Sequence, residues 1–167
     1  MTDGRQSWVS DLVGATQLLT RIPLGSLGNN SQSADQSRAV WAYPIAGAIV
    51  GAMGALIYAI SDWAGAPNLI AAFLAIGAVV LVTGALHEDG LADTSDGFGG
   101  GNDIESKLTI MRDSRIGTYG MLAIIFSIGL RVGAIAALDS VALVAGVLIA
   151  AGALSRAAMP VLMIILP

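Results

Sequence analysis

The stretch WAYPIAGAIVGAMGALIYAI, residues 41–60, runs for twenty residues without a charged side chain. At ~1.5 Å of rise per residue, a helix of that length crosses the ~30 Å hydrocarbon core of a bilayer. Trp41, Tyr43 and Tyr58 stand near its ends, where an amphipathic ring matches the boundary between lipid and water. Gly47 and Gly51 lie one turn apart, a small-xxx-small pair that lets a neighbouring helix come close. The whole chain agrees with this reading. Of its 167 residues, 55% are hydrophobic and 12% charged, about half the charge of a soluble domain, and the mean hydropathy is +0.76. Such a composition cannot cover a water-facing surface. The absence of cysteine removes disulfides, thiolate metal sites and cysteine nucleophiles. Net charge is −4 and there is no basic patch to recommend nucleic acid.

Working outward, the chain reads as an all-α, polytopic integral membrane bundle in two parts. Residues 1–40 form an N-terminal interfacial helix and polar loop, and residues 41–167 a transmembrane helical domain. In the first part Trp8, Val9, Leu12, Val13, Leu18, Leu19 and Ile22 fall on one helical face, ended by Pro23 and Gly25. An amphipathic helix at the interface and a cap packed on the bundle both fit. Asp11 and Arg21 interrupt any signal-peptide core. Residues 26–38, rich in Ser, Asn and Gln, read as a loop. A second span is predicted over 68–86, a third over 118–138 and a fourth over 141–154, with Arg156 at the next interface. Residues 158–167 begin a further apolar stretch of only ~15 Å, so the chain reads as cut short within a helix, a re-entrant tail being the alternative. An up-and-down path gathers Arg5, Arg21, Arg38, Lys107, Arg112, Arg115 and Arg156 on one side. The positive-inside rule makes that side cytoplasmic.

The acidic motif loop 87–117 faces that side. It starts HEDGLADTSDGFGGGNDIESK at His87. If the second helix continues through it, Asp89, Asp93 and Asp96 fall within ~60° of one face. Three like charges on one strip repel unless a cation lies among them. With oxygen ligands, no thiolate and one histidine, the set favours Mg²⁺ or Mn²⁺ over Zn²⁺; a solvated acidic loop is the plain alternative. Glu88 points ~100° away from Asp89, and His87 suits hydrogen bonding beside the cluster better than ligation. Gly99, Gly100 and Gly101 allow either a phosphate-touching loop or a hinge after a helix end.

Downstream, Lys107, Arg112 and Arg115 accompany Asp113 and Ser114. On a helix Arg112 and Arg115 share a face. A divalent metal with guanidinium groups beside it suits diphosphate chemistry; pairing with nearby acids or lipid headgroups is the rival account. Arg131 interrupts the third span. A charge there normally faces the bundle interior with a partner, here the carboxylate cluster or a substrate phosphate, unless it snorkels to an interface.

At these residues the sequence resembles the cobalamin synthase family, the adenosylcobinamide-GDP ribazoletransferases. The resemblance rests on TGALHEDGLADTSDGFGGG (83–101) and MRDSRIGTYG (111–120), supported by LLTRIP (18–23) and WAYPIAGAIVG (41–51). It implies a multi-pass inner-membrane enzyme that joins adenosylcobinamide-GDP to α-ribazole or its 5′-phosphate with release of GMP and requires Mg²⁺. Carried onto this chain, it implies Asp89, Asp93 and Asp96 as metal ligands and Glu88 as general base or a supporting group. Arg112 and Arg115 would act on phosphate oxygens, and Lys107, Ser114 and Arg131 in substrate binding. A homo-oligomer stays open. Family members continue into further helices and a glycine-rich, Asp-containing motif that this chain stops short of. Among rivals, CDP-alcohol phosphatidyltransferases read DxxDGxxAR, and the pattern fails here because Asp89-Gly90 is followed by Leu91, Ala92 and Asp93. A cation transporter would favour carboxylates near the bilayer midplane. A purely structural membrane subunit is the third class.

Overall fold

A computed structural model describes residues 4–24 and 39–165. Among these the chain forms seven α-helices and no strand: α1 (Gly4–Leu19), α2 (Tyr43–Trp63), α3 (Asn68–Thr83), α4 (Leu86–Gly100), α5 (Ile104–Met111), α6 (Thr118–Ala136) and α7 (Val141–Ile165). A 3₁₀ turn at Val40–Ala42 leads into α2. The polar loop read at 26–38 lies outside the described residues.

The first span starts at Pro44 in the first turn of α2, where the missing N–H has no intrahelical partner to lose. Its glycine pair is used, and the partner is the distant α7. A Cβ on Gly47 would run into the carbonyl oxygen of Gly152, and one on Gly152 into that of Gly47. A Cβ on Gly51 would come within 2.8 Å of the Ile149 Cα. With no side chain between them, the two backbones touch, and van der Waals contact holds helices together where lipid offers no hydrophobic drive. On its other flank α2 meets α3 through Ala71, Ala72 and Ala75, all completely buried. Tyr58, Ile76, Val132, Ile135, Val144 and Leu148 complete this core. The bundle's outer surface is apolar: Trp63 is 87% and Leu130 71% exposed, with Phe126 and Leu81 also outward. Fully solvated, such side chains would each forgo roughly 1.5–3 kcal/mol of burial; against acyl chains they do not.

Val40–Trp63, Thr118–Ala136 and Val141–Met163 are long and apolar enough to cross a membrane, and α3 with α4 makes a fourth candidate bent by 88°. The protein is a multi-pass, all-helical membrane protein. Two expected boundaries need correction. The second span is not one rod through the acidic motif. Gly84 (φ 64) and Ala85 (φ 58) both take the left-handed conformation. Gly84 N donates to Leu81 O at 3.0 Å and Ala85 N to Val80 O at 2.9 Å, the paired closure of a Schellman end. The fourth span does not stop at Leu154. α7 continues through Arg156 and Pro160 to Ile165, and Arg156 is buried rather than interfacial. Pro160 costs the helix one bond, to the Arg156 carbonyl.

The N-terminal helix α1 packs Ala15 and Leu19 against Ala42, Tyr43 and Ala46, and the Trp41 indole Nε1 donates to Asp11 Oδ2 at 3.2 Å. Trp8 and Leu18 remain exposed, so the helix carries both a packed seam and an outward apolar side.

Gly152→Val forces α2 and α7 apart and is expected to lower stability by about 1–3 kcal/mol in reversible unfolding from mixed micelles. Gly146→Ala, where an added Cβ meets nothing within 4 Å, is expected to hold or raise the midpoint, since alanine is the better helix former.

Candidate functional site

The acidic motif is a helix, α4, laid across the end of α3. Glu88 and Asp89 occupy its first turn, where negative charge complements the unpaired amides. Its two sides differ. Glu88, Ala92, Asp96 and Gly97 are buried against the bundle; Asp89, Gly90 and Thr94 are exposed and Asp93 half-buried. The three aspartates read as one strip are therefore divided. Asp96 lies ~20° from Asp89 on the side of Glu88, enough to turn it inward.

Asp96 holds the start of α6. Its Oδ2 accepts from Gly117 N at 2.7 Å and its Oδ1 from Gly120 N at 2.8 Å. This is a helix cap supplied by another helix, a carboxylate on orphan amides at the positive end of the dipole. The glycines explain themselves here, since a Cβ on Gly117 or Gly120 would run into the Asp96 carboxylate. Glu88 is also engaged. Its Oε1 accepts from Arg131 Nη2 at 2.9 Å, and Arg131 Nε donates to Ser127 O at 3.2 Å. Arg131 thus faces the interior and reaches the carboxylate cluster. That leaves Asp89 and Asp93, one turn apart, with no side-chain hydrogen bond or ion pair among the described residues.

The downstream basic residues disperse. Arg112 ends α5 and is exposed. The chain then turns, so Arg112 and Arg115 do not share a helix face; the expected helix there stops at Met111. Arg115 chelates Asp113, with Nη2–Oδ2 at 2.7 Å and Nε–Oδ2 at 3.1 Å. That contact holds the Asp113 carboxyl below its usual range. Ser114 lies exposed in the same turn. Lys107 places Nζ 4.8 Å above the Phe98 ring, a cation–π contact. Most of the glycine run is helical: Gly97, Gly99 and Gly100 lie in α4, and Gly101 is the extended residue at which the helix ends. A Cβ on Gly97 would meet the Met111 side chain, on Gly99 the Tyr119 ring, and on Gly101 the backbone of Lys107. Missing side chains here let α5 and α6 close on α4.

Sequence reasoning does not place Arg21 at the site; there it interrupts a signal-peptide core and counts among the charges on the cytoplasmic side. Arg21 N donates to Val82 O at 2.7 Å, and its side chain lies against Gly84, whose Cβ would come 2.6 Å from Arg21 Cγ. Arg21 and Asp89 line one cleft of about 490 Å³ with Gln17, Thr20 and Gly84. The signal was the LLTRIP segment, whose place beside the acidic motif only the fold reveals.

No three His, Asp or Glu side chains among the described residues converge to hold a metal unaided. Mg²⁺ does not need three: it takes one or two carboxylates and fills its octahedron with water and phosphate oxygen. Exposed Asp89 and half-buried Asp93, neither with a side-chain partner among the described residues, fit that requirement; Asp96 is already bonded to two amides.

Fold and site together define a class: a multi-pass helical membrane protein whose carboxylate-bearing helix, bent 88° from α3, packs against α6. Residues 11–167 match the family model described as Cobalamin-5-phosphate synthase, and the chain belongs to that family. It is 48% identical over 168 residues to the adenosylcobinamide-GDP ribazoletransferase of Bradyrhizobium diazoefficiens, covering 99% of this chain and 64% of that protein. The same-named proteins of Allorhizobium ampelinum and Sinorhizobium medicae are 47% and 46% identical, over 92% and 95% of this chain and 60% and 62% of theirs. The chain thus spans about three fifths of the length of these relatives. No solved structure matches it.

Asp96→Ala strands two amides and is expected to cost about 1–3 kcal/mol in the same unfolding assay. Asp89→Ala removes an unpaired surface charge and is expected to stay within about 0.5 kcal/mol of the parent.

Proposed function

We propose that this chain carries the diphosphate-activating part of an adenosylcobinamide-GDP ribazoletransferase. The reaction joins adenosylcobinamide-GDP to α-ribazole or its 5′-phosphate and releases GMP. The observation that carries this reading is the unpartnered pair Asp89 and Asp93 on the open side of α4, with the Arg21 guanidinium in the cleft that Asp89 lines. The names of the relatives support the activity, and the site chemistry supports its type.

Mg²⁺ held by Asp89 and Asp93 would draw charge from phosphate oxygens during displacement at phosphorus. The residues of the chain do the positioning. Asp89 and Asp93 stand one helical turn apart on a helix fixed by Asp96 at its far end, so their spacing is set before any ligand arrives. Arg21, which lines the cleft beside Asp89, binds phosphate oxygens through paired N–H donors; Arg112, at the end of α5, is not among the residues lining it. Arg115 is held by Asp113 and contributes by ordering the turn that follows α5. Glu88 is held by Arg131 on the buried side of α4; in this reading it fixes the helix and takes no proton from the substrate.

Placement supports an inner-membrane, cytoplasmic orientation for the site. Arg21, Lys107, Arg112 and Arg115 flank the acidic helix, whereas the turns at 61–67 and 137–140 contain no Lys or Arg.

Two measurements test this. Titration of the detergent-solubilised chain with Mn²⁺, followed by electron paramagnetic resonance, is expected to show a site that Asp89→Asn with Asp93→Asn weakens by at least ~10-fold, about 1.4 kcal/mol. Unchanged Mn²⁺ affinity removes the pair from the metal site. In a chain extended to the length of its relatives, Asp89→Ala is expected to cut Mg²⁺-dependent GMP release from adenosylcobinamide-GDP by ~10²-fold or more. Turnover within a few-fold of the parent contradicts the proposal.

A further inference from the structure

Glu88 sits on the buried side of α4, and its two oxygens differ. Oε1 accepts from Arg131 Nη2 at 2.9 Å, whereas Oε2 is buried without a partner. The side chain borders a cavity of about 320 Å³ lined by α2, α3, α4, α6 and α7. Val50, Ile76 and Leu148 contribute apolar wall, and Arg131, Arg156 and His87 border the same space. Arg156 is 7% exposed and Glu88 8%, so both are more than nine-tenths buried. Arg156 Nε and both ring nitrogens of His87 are likewise buried without a hydrogen-bond partner. Among the described residues Arg156 forms no salt bridge; its one side-chain bond is from Nη1 to the neighbouring Ser155 Oγ at 2.9 Å.

A buried carboxylate oxygen and a buried guanidinium N–H are each costly when left bare. Here each is what the other lacks. Glu88 is the one carboxylate among the described residues that line the cavity, so no other side chain there can balance Arg156. Arg156 cannot retreat, because its side chain is packed against α2: a Cβ on Gly47 would come 3.0 Å from Arg156 Cδ. The cavity is roomy enough for several waters, and its polar atoms supply the two to four partners that a buried water needs. A bond made through such a water is nearly as favourable as a direct one.

We propose that Glu88 is the common counter-ion of Arg131 and Arg156. Its Oε1 holds Arg131 directly, and its Oε2 holds Arg156 through ordered water in the cavity, with His87 as a further partner of that water. One carboxylate then ties together three helices, α4, α6 and α7. The one positive charge left over is spread across two guanidiniums instead of resting on Arg156 alone. This inference does not rest on the proposed transferase reading, since none of its residues belongs to the aspartate pair or the Arg21 cleft.

A double-mutant cycle tests this by reversible unfolding of the chain from mixed micelles. Glu88→Gln strands two guanidiniums and is expected to lower the folding constant at least ~100-fold. In an Arg156→Gln background the same substitution is expected to cost at least ~10-fold less. Equal costs in the two backgrounds overturn the proposal. A second measurement does not require Glu88→Gln to fold. Glutamate occurs only at 88 and 105, so a chain labelled with [5-¹³C]glutamate shows two side-chain carboxyl resonances. The Glu88 resonance is expected to move in Arg156→Gln and in Arg156→Lys while that of Glu105 stays. A Glu88 resonance that neither variant moves overturns the proposal. So does a rise in the parent's midpoint with added chloride or phosphate that Arg156→Gln abolishes, because Arg156 would then draw its counter-charge from solution.

Discussion

Two consecutive left-handed residues, Gly84 and Ala85, decide what the acidic motif can be. Were α3 to run straight on, its carboxylates would form a charged rod projecting from the membrane, free on all sides. The turn at 84–85 bends the chain by 88° and lays α4 against α6. A helix in that position has a side pressed on protein and a side facing out. The left-handed conformation costs little at Gly84 but is unfavourable at Ala85. The paired closure onto Val80 and Leu81, together with the hydrogen bond from Arg21 N to Val82 O, makes that conformation part of the packed structure.

From this division the roles of the carboxylates follow. Those turned inward must find partners, because burial of an unpaired charge is prohibitive. Asp96 finds the amides of Gly117 and Gly120, and Glu88 finds Arg131. Both contacts reach α6, so the acidic helix is pinned to the bundle at each end of its inner side. Asp89, exposed, and Asp93, half-buried, make no side-chain hydrogen bond or ion pair among the described residues. The downstream glycines serve the same arrangement: by lacking side chains they bring α5 and α6 close enough to α4 for these bonds to form.

Much of the fold was legible in the sequence. Charge-free runs marked α2 and most of α6, and the Gly47/Gly51 pair announced a close helix contact. That pair could not name its partner, because a small-residue face is complementary to any other; α7 is found only in three dimensions. The broken second span carried its signal at Gly84, but apolar character runs up to it and on through Ala85 and Leu86, so hydropathy alone smooths over the break. Arg156 was taken for a boundary because a charge in an apolar run normally is one, whereas burial inside the bundle puts it mid-helix. Of the candidate site, the motif and its helical spacing were readable. The diversion of Asp96 to amides more than twenty residues away was not, nor was Arg21, which the fold brings from the N-terminal segment to the cleft beside Asp89.

The central claim is that α4 is a packed helix with one closed and one open side. Because the chain contains no cysteine, single cysteines placed in turn from 88 to 96 report on it directly through their rate of reaction with a bulky, water-soluble maleimide. The account predicts fast labelling at 89, 90 and 94 and protection at 92 and 96, in a helical period. Uniformly fast labelling along the segment would mean a solvated acidic loop and would contradict it.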